Sequence, residues 1–178
     1  MYIKSLKIFS LLLLIVFSAK AQRYNISIGP ELNLPTGNAT NISPIGFGGY
    51  VKGEVGISEK FSLTGSGAVA SFIGKRFIGA RQPTNYYVPV KAGLKYYTDG
   101  DFYFEGQLGA SFQLNGTDYT AFVWSPGIGS FIKSRNSNNQ LDVGLRYEGW
   151  TGSRTISMQS KNSTFSFFSL RIGYAFNL

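Results

Sequence analysis

From Tyr24 to its last residue the sequence keeps a period of two. The closing stretch "SLRIGYAFNL" shows it most plainly: Leu170, Ile172, Tyr174, Phe176 and Leu178 stand at one parity, and Ser169, Arg171, Gly173, Ala175 and Asn177 at the other. Successive side chains of a β-strand point to opposite faces, so this alternation writes one apolar and one polar face onto an extended chain. No amphipathic helical period competes with it. A slip of one residue would exchange the two faces, so each run specifies its own register.

Seven further runs share the pattern. "YNISIGPELNL" sets Ile26, Ile28, Leu32 and Leu34 against Asn25, Ser27, Glu31 and Asn33, and "GFGGYVKGEVGIS" sets Phe47, Val51, Val55 and Ile57 against Tyr50, Lys52 and Glu54. "FSLTGSGAVASFI" sets Phe61, Leu63, Val69 and Ile73 against small residues, and "YYVPVKAGLKYY" sets Tyr86, Val88, Val90, Leu94 and Tyr96 against Lys91 and Lys95. "FYFEGQLGASFQL" opposes Phe102, Phe104, Leu108, Phe112 and Leu114 to Glu105, Gln107 and Gln113. In the less regular "AFVWSPGIGSFIK" the apolar face is assigned to Phe122, Trp124, Ile128 and Ile132. "QLDVGLRYEGW" opposes Leu141, Val143, Leu145 and Tyr147 to Asp142, Arg146 and Glu148.

Runs of about 10 to 13 residues match the length at which a tilted strand crosses a bilayer, whereas strands of soluble proteins cluster near 5 or 6. The connections alternate in size. Ser58-Glu59-Lys60 and Thr98-Asp99-Gly100-Asp101 are tight turns and "KSRNSNNQ" from Lys133 a looser one, while longer segments start at Thr36, Gly74, Asn115 and Gly152. Short turns at one end, longer loops at the other and an even strand number describe an all-β fold. It is an eight-stranded antiparallel up-and-down transmembrane β-barrel with both chain ends on the short-turn side.

Residues 1–21 have another character. Lys4 and Lys7 precede the apolar stretch "IFSLLLLIVF", and Ala19-Lys20-Ala21 supplies small residues at a cleavage site, so 1–21 reads as a signal peptide and 22–178 as the barrel domain. The apolar run is too short to span a bilayer as a helix. Removing its three lysines lowers the net charge from +8 to +5. The protein is expected to be exported.

The polar face decides between a soluble barrel and its membrane-spanning inverse. It is rich in Gly, Ser and Ala and carries Glu31, Glu54, Glu105, Asp142 and Glu148 against Lys52, Lys91, Lys95, Arg146 and Arg171. Five acids matched by five bases suit an enclosed ionic network, because buried charges persist only when paired. Pairing is expected between neighbouring strands, with Lys91 and Lys95 beside Glu105, and with Asp142, Arg146 and Glu148 beside Arg171. Arg171 is further expected to neutralise Glu31 as the barrel closes. Aromatic residues near both strand ends fit interfacial girdles: Tyr24, Phe61, Tyr96, Phe102, Phe104, Tyr174 and Phe176 at one end, and Phe47, Tyr86, Phe112 and Phe122 at the other.

Chemistry is scarce. With no Cys and no His, the chain lacks thiol nucleophiles, imidazole bases and Cys/His zinc sites, so no enzyme activity, metal or cofactor is expected. "GSGAVA" from Gly65 matches a dinucleotide-binding pattern only formally, since a strand runs through it where a helix would have to begin. The longer connections carry Lys75, Arg76, Arg81, Arg154 and Lys161 against Asp118, an excess of +4 that suits lipopolysaccharide phosphates or an acidic partner. An aromatic-interleaved groove for nucleic acid is lacking.

Taken together, the leader, the eight runs and the ending "IGYAFNL" resemble the small outer-membrane β-barrel family of Bacteroidetes-type bacteria, with an architecture like the outer membrane protein A barrel and the outer membrane protein X family. The resemblance implies that Ile172, Tyr174, Phe176 and Leu178 form a C-terminal signal read by the barrel-assembly machinery, with Leu178 where an aromatic residue is usual. It also implies a monomer in the bacterial outer membrane, in contact with its lipid and lipopolysaccharide. A side-chain-filled lumen points to a structural or adhesive, surface-interaction role. The alternatives are a narrow channel or small-molecule carrier, and a soluble, exported lipocalin-like binder.

Overall fold

The computed structural model describes residues 23–77, 80–98, 101–115, 120–133, 139–156 and 159–178, with backbone alone at 77, 80, 81, 153–156 and 159–162. The leader expected over 1–21 lies outside them, as do Asp99, Gly100 and Asp118.

Each alternating run forms a strand: β1 (Tyr24–Thr36), β2 (Ile45–Gly56), β3 (Phe61–Ile73), then the short β4 (Arg76–Phe77) and β5 (Ala80–Arg81), and β6 (Asn85–Tyr97), β7 (Phe102–Gln113), β8 (Thr120–Lys133), β9 (Gln140–Ile156) and β10 (Gln159–Asn177). All but β4 and β5 close into one barrel in the order β1-β10-β9-β8-β7-β6-β3-β2, and every pairing is antiparallel. The architecture is therefore an eight-stranded up-and-down barrel. "GSGAVA" lies wholly inside β3, between Phe61 and Ile73.

The face assignments follow the alternation. Every residue placed on the apolar face of β7, from Phe102 to Phe112, points outward and is exposed, while Tyr103, Glu105, Gln107 and Ser111 point inward and are buried. The less regular β8 obeys the same parity: Phe122, Ile128 and Ile132 are exposed, whereas Ala121, Val123, Ser125 and Phe131 fill the interior. The residues assigned to the two girdles are exposed on the outer wall, and some pack ring against ring there, Phe61 tilted on Tyr96 at 5.0 Å and Tyr174 edge-on to Phe176 at 4.9 Å.

Two long connections differ from their expectation as loops. In the segment from Gly74, β4 and β5 form a small hairpin, with Arg76 opposite Arg81 and Phe77 opposite Ala80. The segment from Gly152 is a ribbon, in which β9 and β10 stay paired as far as Ile156 and Gln159. β8 accompanies β9 only to Thr151, and β1 accompanies β10 only to Ser166. The ribbon thus stands beyond the rim. Its Ser, Thr, Arg, Lys and Asn residues are polar at both parities, so no alternation announced it.

The ring closes where β1 meets β10, from Asn25 opposite Asn177 to Thr36 opposite Ser166. Pro30 lacks an amide hydrogen, and the strands approach so closely beside it that a Cβ at Gly29 would lie 2.0 Å from the Ile172 carbonyl oxygen and 2.6 Å from Gly173 Cα. Only glycine fits there without moving the backbone. Gly29→Val is expected to reduce sharply the fraction that resists unfolding by detergent at room temperature on a gel, while Gly53→Val, whose Cβ would meet nothing within 4 Å, leaves it unchanged.

Candidate functional site: a sealed ionic lumen between two mouths

The barrel turns its apolar face outward and its charges inward. Glu31, Glu54, Glu105, Asp142 and Glu148 are buried together with Lys52, Lys91, Lys95, Arg146 and Arg171. Each has an opposite charge within reach. Arg171 joins Glu31 at 2.8 Å across the closing seam and reaches Glu148 at 3.4 Å, and Glu148 also receives the Lys91 ammonium. Lower in the barrel Lys52 meets Asp142 at 2.5 Å and Glu105 at 3.9 Å, the Arg146 guanidinium grips Glu105, and Lys95 meets Glu54 at 2.5 Å.

Arg171 takes the expected Glu31 and Glu148, whereas the two lysines of β6 do not pair with Glu105 on the neighbouring strand. Lys95 sits opposite Glu105 in the β6–β7 register, yet its ammonium crosses β3 to Glu54 on β2, and Lys91 crosses the lumen to Glu148 on β9. The reason lies in β3, whose inward positions from Ser62 to Ala70 are Ser62, Thr64, Ser66, Ala68 and Ala70, with Phe72 following only at the far end. Their short side chains leave the space that long lysines on β6 fill. Gln107 completes the packing: its amide nitrogen donates to Thr64 at 3.1 Å and Glu105 at 3.0 Å, while its oxygen accepts from Arg146 at 2.8 Å and Ser66 at 3.2 Å.

Rings close both ends of this network. On the short-turn side Tyr97, Tyr103, Phe131 and Ala175 form one buried cluster. Its hydroxyls point into the ionic layer, with Tyr97 donating to Glu54 and Tyr103 to Asp142 at 2.5 Å, while the Lys95 ammonium lies 4.1 Å from the Tyr103 ring centre. On the other side Phe72 packs edge-on against Tyr87, Trp150, Phe165 and Phe167 at 5.0–6.0 Å, over Ala70, Ala121 and Val123. Trp150 ties this layer to the charges below by donating to Glu148 at 3.1 Å. In midlumen Tyr50 lies under Arg171 at 4.8 Å.

Sequence reasoning singled out the ten charges and missed these rings. Phe72, Tyr87, Tyr97, Tyr103, Phe131, Trp150 and Phe167 occupy the polar parity of their strands. The available signal was an aromatic residue out of phase with its run, as in Tyr86-Tyr87, Tyr96-Tyr97 and Phe167-Phe168.

Each mouth ends blindly on a ring cluster. The short-turn mouth is a vestibule of about 570 Å³ bounded by Arg23, Asn25, Lys133 and Gln140, with Tyr97 and Phe131 at its floor. The other holds a recess of about 100 Å³ among Ile42, Asn85, Tyr87, Ser163 and Phe165, floored by Phe72 and Trp150. Of the basic residues in the long connections, Lys75 and Arg76 are exposed, and Arg81, Arg154 and Lys161 occupy strand positions in the two hairpins. Ile172, Tyr174 and Phe176 line the outer wall of β10, and Leu178 follows it, also exposed. No group of three or more metal-ligating side chains occurs among the described residues.

No protein-family model matches the chain, and no curated protein matches it. Solved structures do. The attachment invasion locus protein Ail of Yersinia pestis superposes with a TM-score of 0.57 at 16% identity, covering 87% of this chain and 99% of its own. Ail has also been solved in complex with the heparin analogue sucrose octasulfate. Neisserial surface protein A gives 0.60 at 13% identity, covering 87% and 97%, and OprG of Pseudomonas aeruginosa, an outer membrane protein, gives 0.57 at 12%, covering 90% and 97%. At these identities the likeness is one of fold: a small eight-stranded outer-membrane barrel.

Glu148 serves Lys91, Arg171, Ser125 and Trp150 at once. Glu148→Gln leaves the buried Lys91 without its counter-charge and Arg171 with Glu31 alone, and is expected to destabilise the barrel by about 3–5 kcal/mol. Urea unfolding of the vesicle-inserted protein checks it. The pair replacement Lys91→Met with Glu148→Gln should cost less than Glu148→Gln alone, because the stranded cation is then gone.

Proposed function

We propose that this chain is an integral protein of a bacterial outer membrane whose barrel is a closed plug and whose function, structural or adhesive, is exercised at its surface. The observation that carries this reading is the lumen: ten paired charges fill it, and a ring cluster seals it at each end. Eight strands enclose little more than their own side chains, and here those side chains interlock. An outer wall of exposed Leu, Ile, Val and aromatic residues needs hydrocarbon around it. The same wall argues against a soluble lipocalin-like binder, which would hold its apolar face inside.

Outer-membrane lipid and lipopolysaccharide are accordingly this protein's solvent. The exposed row Ile172, Tyr174, Phe176 and Leu178 is the segment offered to the barrel-assembly machinery. With the lumen closed, the long-connection end remains as the working surface, and its Lys75, Arg76, Arg81, Arg154 and Lys161 select for anionic partners. That an attachment protein of the same fold was solved with a sulfated ligand supports this choice.

Membrane fractionation followed by heat-modifiable gel migration tests the barrel: a soluble, unshifted band overturns it. Planar bilayers test the plug. The wild-type protein is expected to be electrically silent, and steady conductance that changes in Lys91→Met or Glu105→Gln would establish the narrow channel instead.

A further inference from the structure

Both hairpins that rise from the long-connection end place two cations directly opposite each other. Arg76 pairs with Arg81 in β4–β5, and Arg154 with Lys161 in β9–β10. Directly opposed residues of an antiparallel pair have Cβ atoms about 4.5–5.5 Å apart, and like charges at such positions destabilise the pairing. Neither hairpin carries an acid of its own, because no Asp or Glu occurs between residues 60 and 98 or between 149 and 178. Two short hairpins, far apart in sequence, thus share one unfavourable arrangement. An anion seated between the cations turns that repulsion into a binding site.

We propose that the two hairpins are a pair of anion clamps that together grip an anionic polysaccharide, a chain of sugar rings carrying sulfate or carboxylate groups. The proposal rests on the surface role argued above and names its ligand. Three observations choose a polymer of sugars over a lone phosphate or the lipid's own headgroups.

The first is position around the ring. β9 and β10 lie across the barrel from β3 and β6, which flank the other hairpin, so the clamps stand on opposite sides of one mouth. A ligand must span the mouth to use both, and a linked second contact strengthens binding far beyond either alone. The second is height. Thr151 pairs with Phe122 of the upper girdle, and Arg154 lies three residues farther along β9. That is about 10 Å of strand beyond the girdle, past the layer in which lipid headgroups begin. The third is the floor between the clamps. The recess there presents half-buried Tyr87 and Phe165 beside the polar Asn85 and Ser163, the mixture of ring faces and hydrogen-bonding groups that a pyranose ring meets well.

The test uses the full-length processed protein in phosphatidylcholine nanodiscs without lipopolysaccharide, with heparin as the probe. Wild type should bind heparin with an affinity that falls as salt rises. The double variants Arg76→Gln with Arg81→Gln, and Arg154→Gln with Lys161→Gln, should each weaken binding by about tenfold or more and flatten its salt dependence. Lys133→Gln, at the opposite mouth, should leave binding unchanged. Heat-modifiable migration of every variant separates a lost clamp from a lost fold. Absent heparin binding, or binding that neither double variant weakens, overturns the proposal. If nanodiscs with added lipopolysaccharide show the clamps engaging lipid phosphate while heparin binding is insensitive to them, the polysaccharide assignment is likewise overturned. A wild-type protein that fails to shift on the gel refutes the barrel reading itself, whatever heparin does.

Discussion

Everything in this barrel depends on charge balance inside a space too small for bulk water. Glu31, Glu54, Glu105, Asp142 and Glu148 against Lys52, Lys91, Lys95, Arg146 and Arg171 leave the described lumen neutral. Each group would be prohibitively costly to bury alone. Because the partners come from β1, β2, β6, β7, β9 and β10, the network is satisfied only when the ring is closed and these six strands are in register. Ion pairs of this kind are weak as a source of stability and strong as a specification, since a one-residue slip would carry a whole set of charges into the bilayer.

Much of this was legible in the alternation. Where outward residues are apolar and inward ones small or charged, as from Phe102 to Phe112 or Leu141 to Tyr147, parity alone assigns the faces. It becomes silent where both faces carry the same kind of residue. Rings at both parities hid the inward role of Tyr87, Tyr97, Trp150 and Phe167. Polar residues at both parities hid the continuation of β9 and β10 beyond the rim. The partner of Lys95 was out of reach for another reason: its ammonium turns to Glu54 and away from Glu105 over the short inward side chains of Ser62, Thr64 and Ser66 on the intervening β3, a relation among three strands that no single run contains.

The candidate working surface was legible in composition and illegible in arrangement. Five basic residues in the longer connections are apparent by inspection. That four of them form two cross-strand pairs emerges only from register, and the recess between them only from closure of the barrel. Sequence thus shows the sign of the charge at this end, and topology arranges that charge into pairs.

The two ring clusters have a consequence outside the lumen. They cap the charges between them at both ends, so the interior network makes its ion pairs within the barrel. The basic positions of the hairpins are therefore set apart in the fold from the ion pairs on which the closed ring depends. Substitutions in the hairpins alter the field seen from outside without disturbing the pairing within. A scaffold of this kind leaves its exposed end free to change in charge while its interior stays paired.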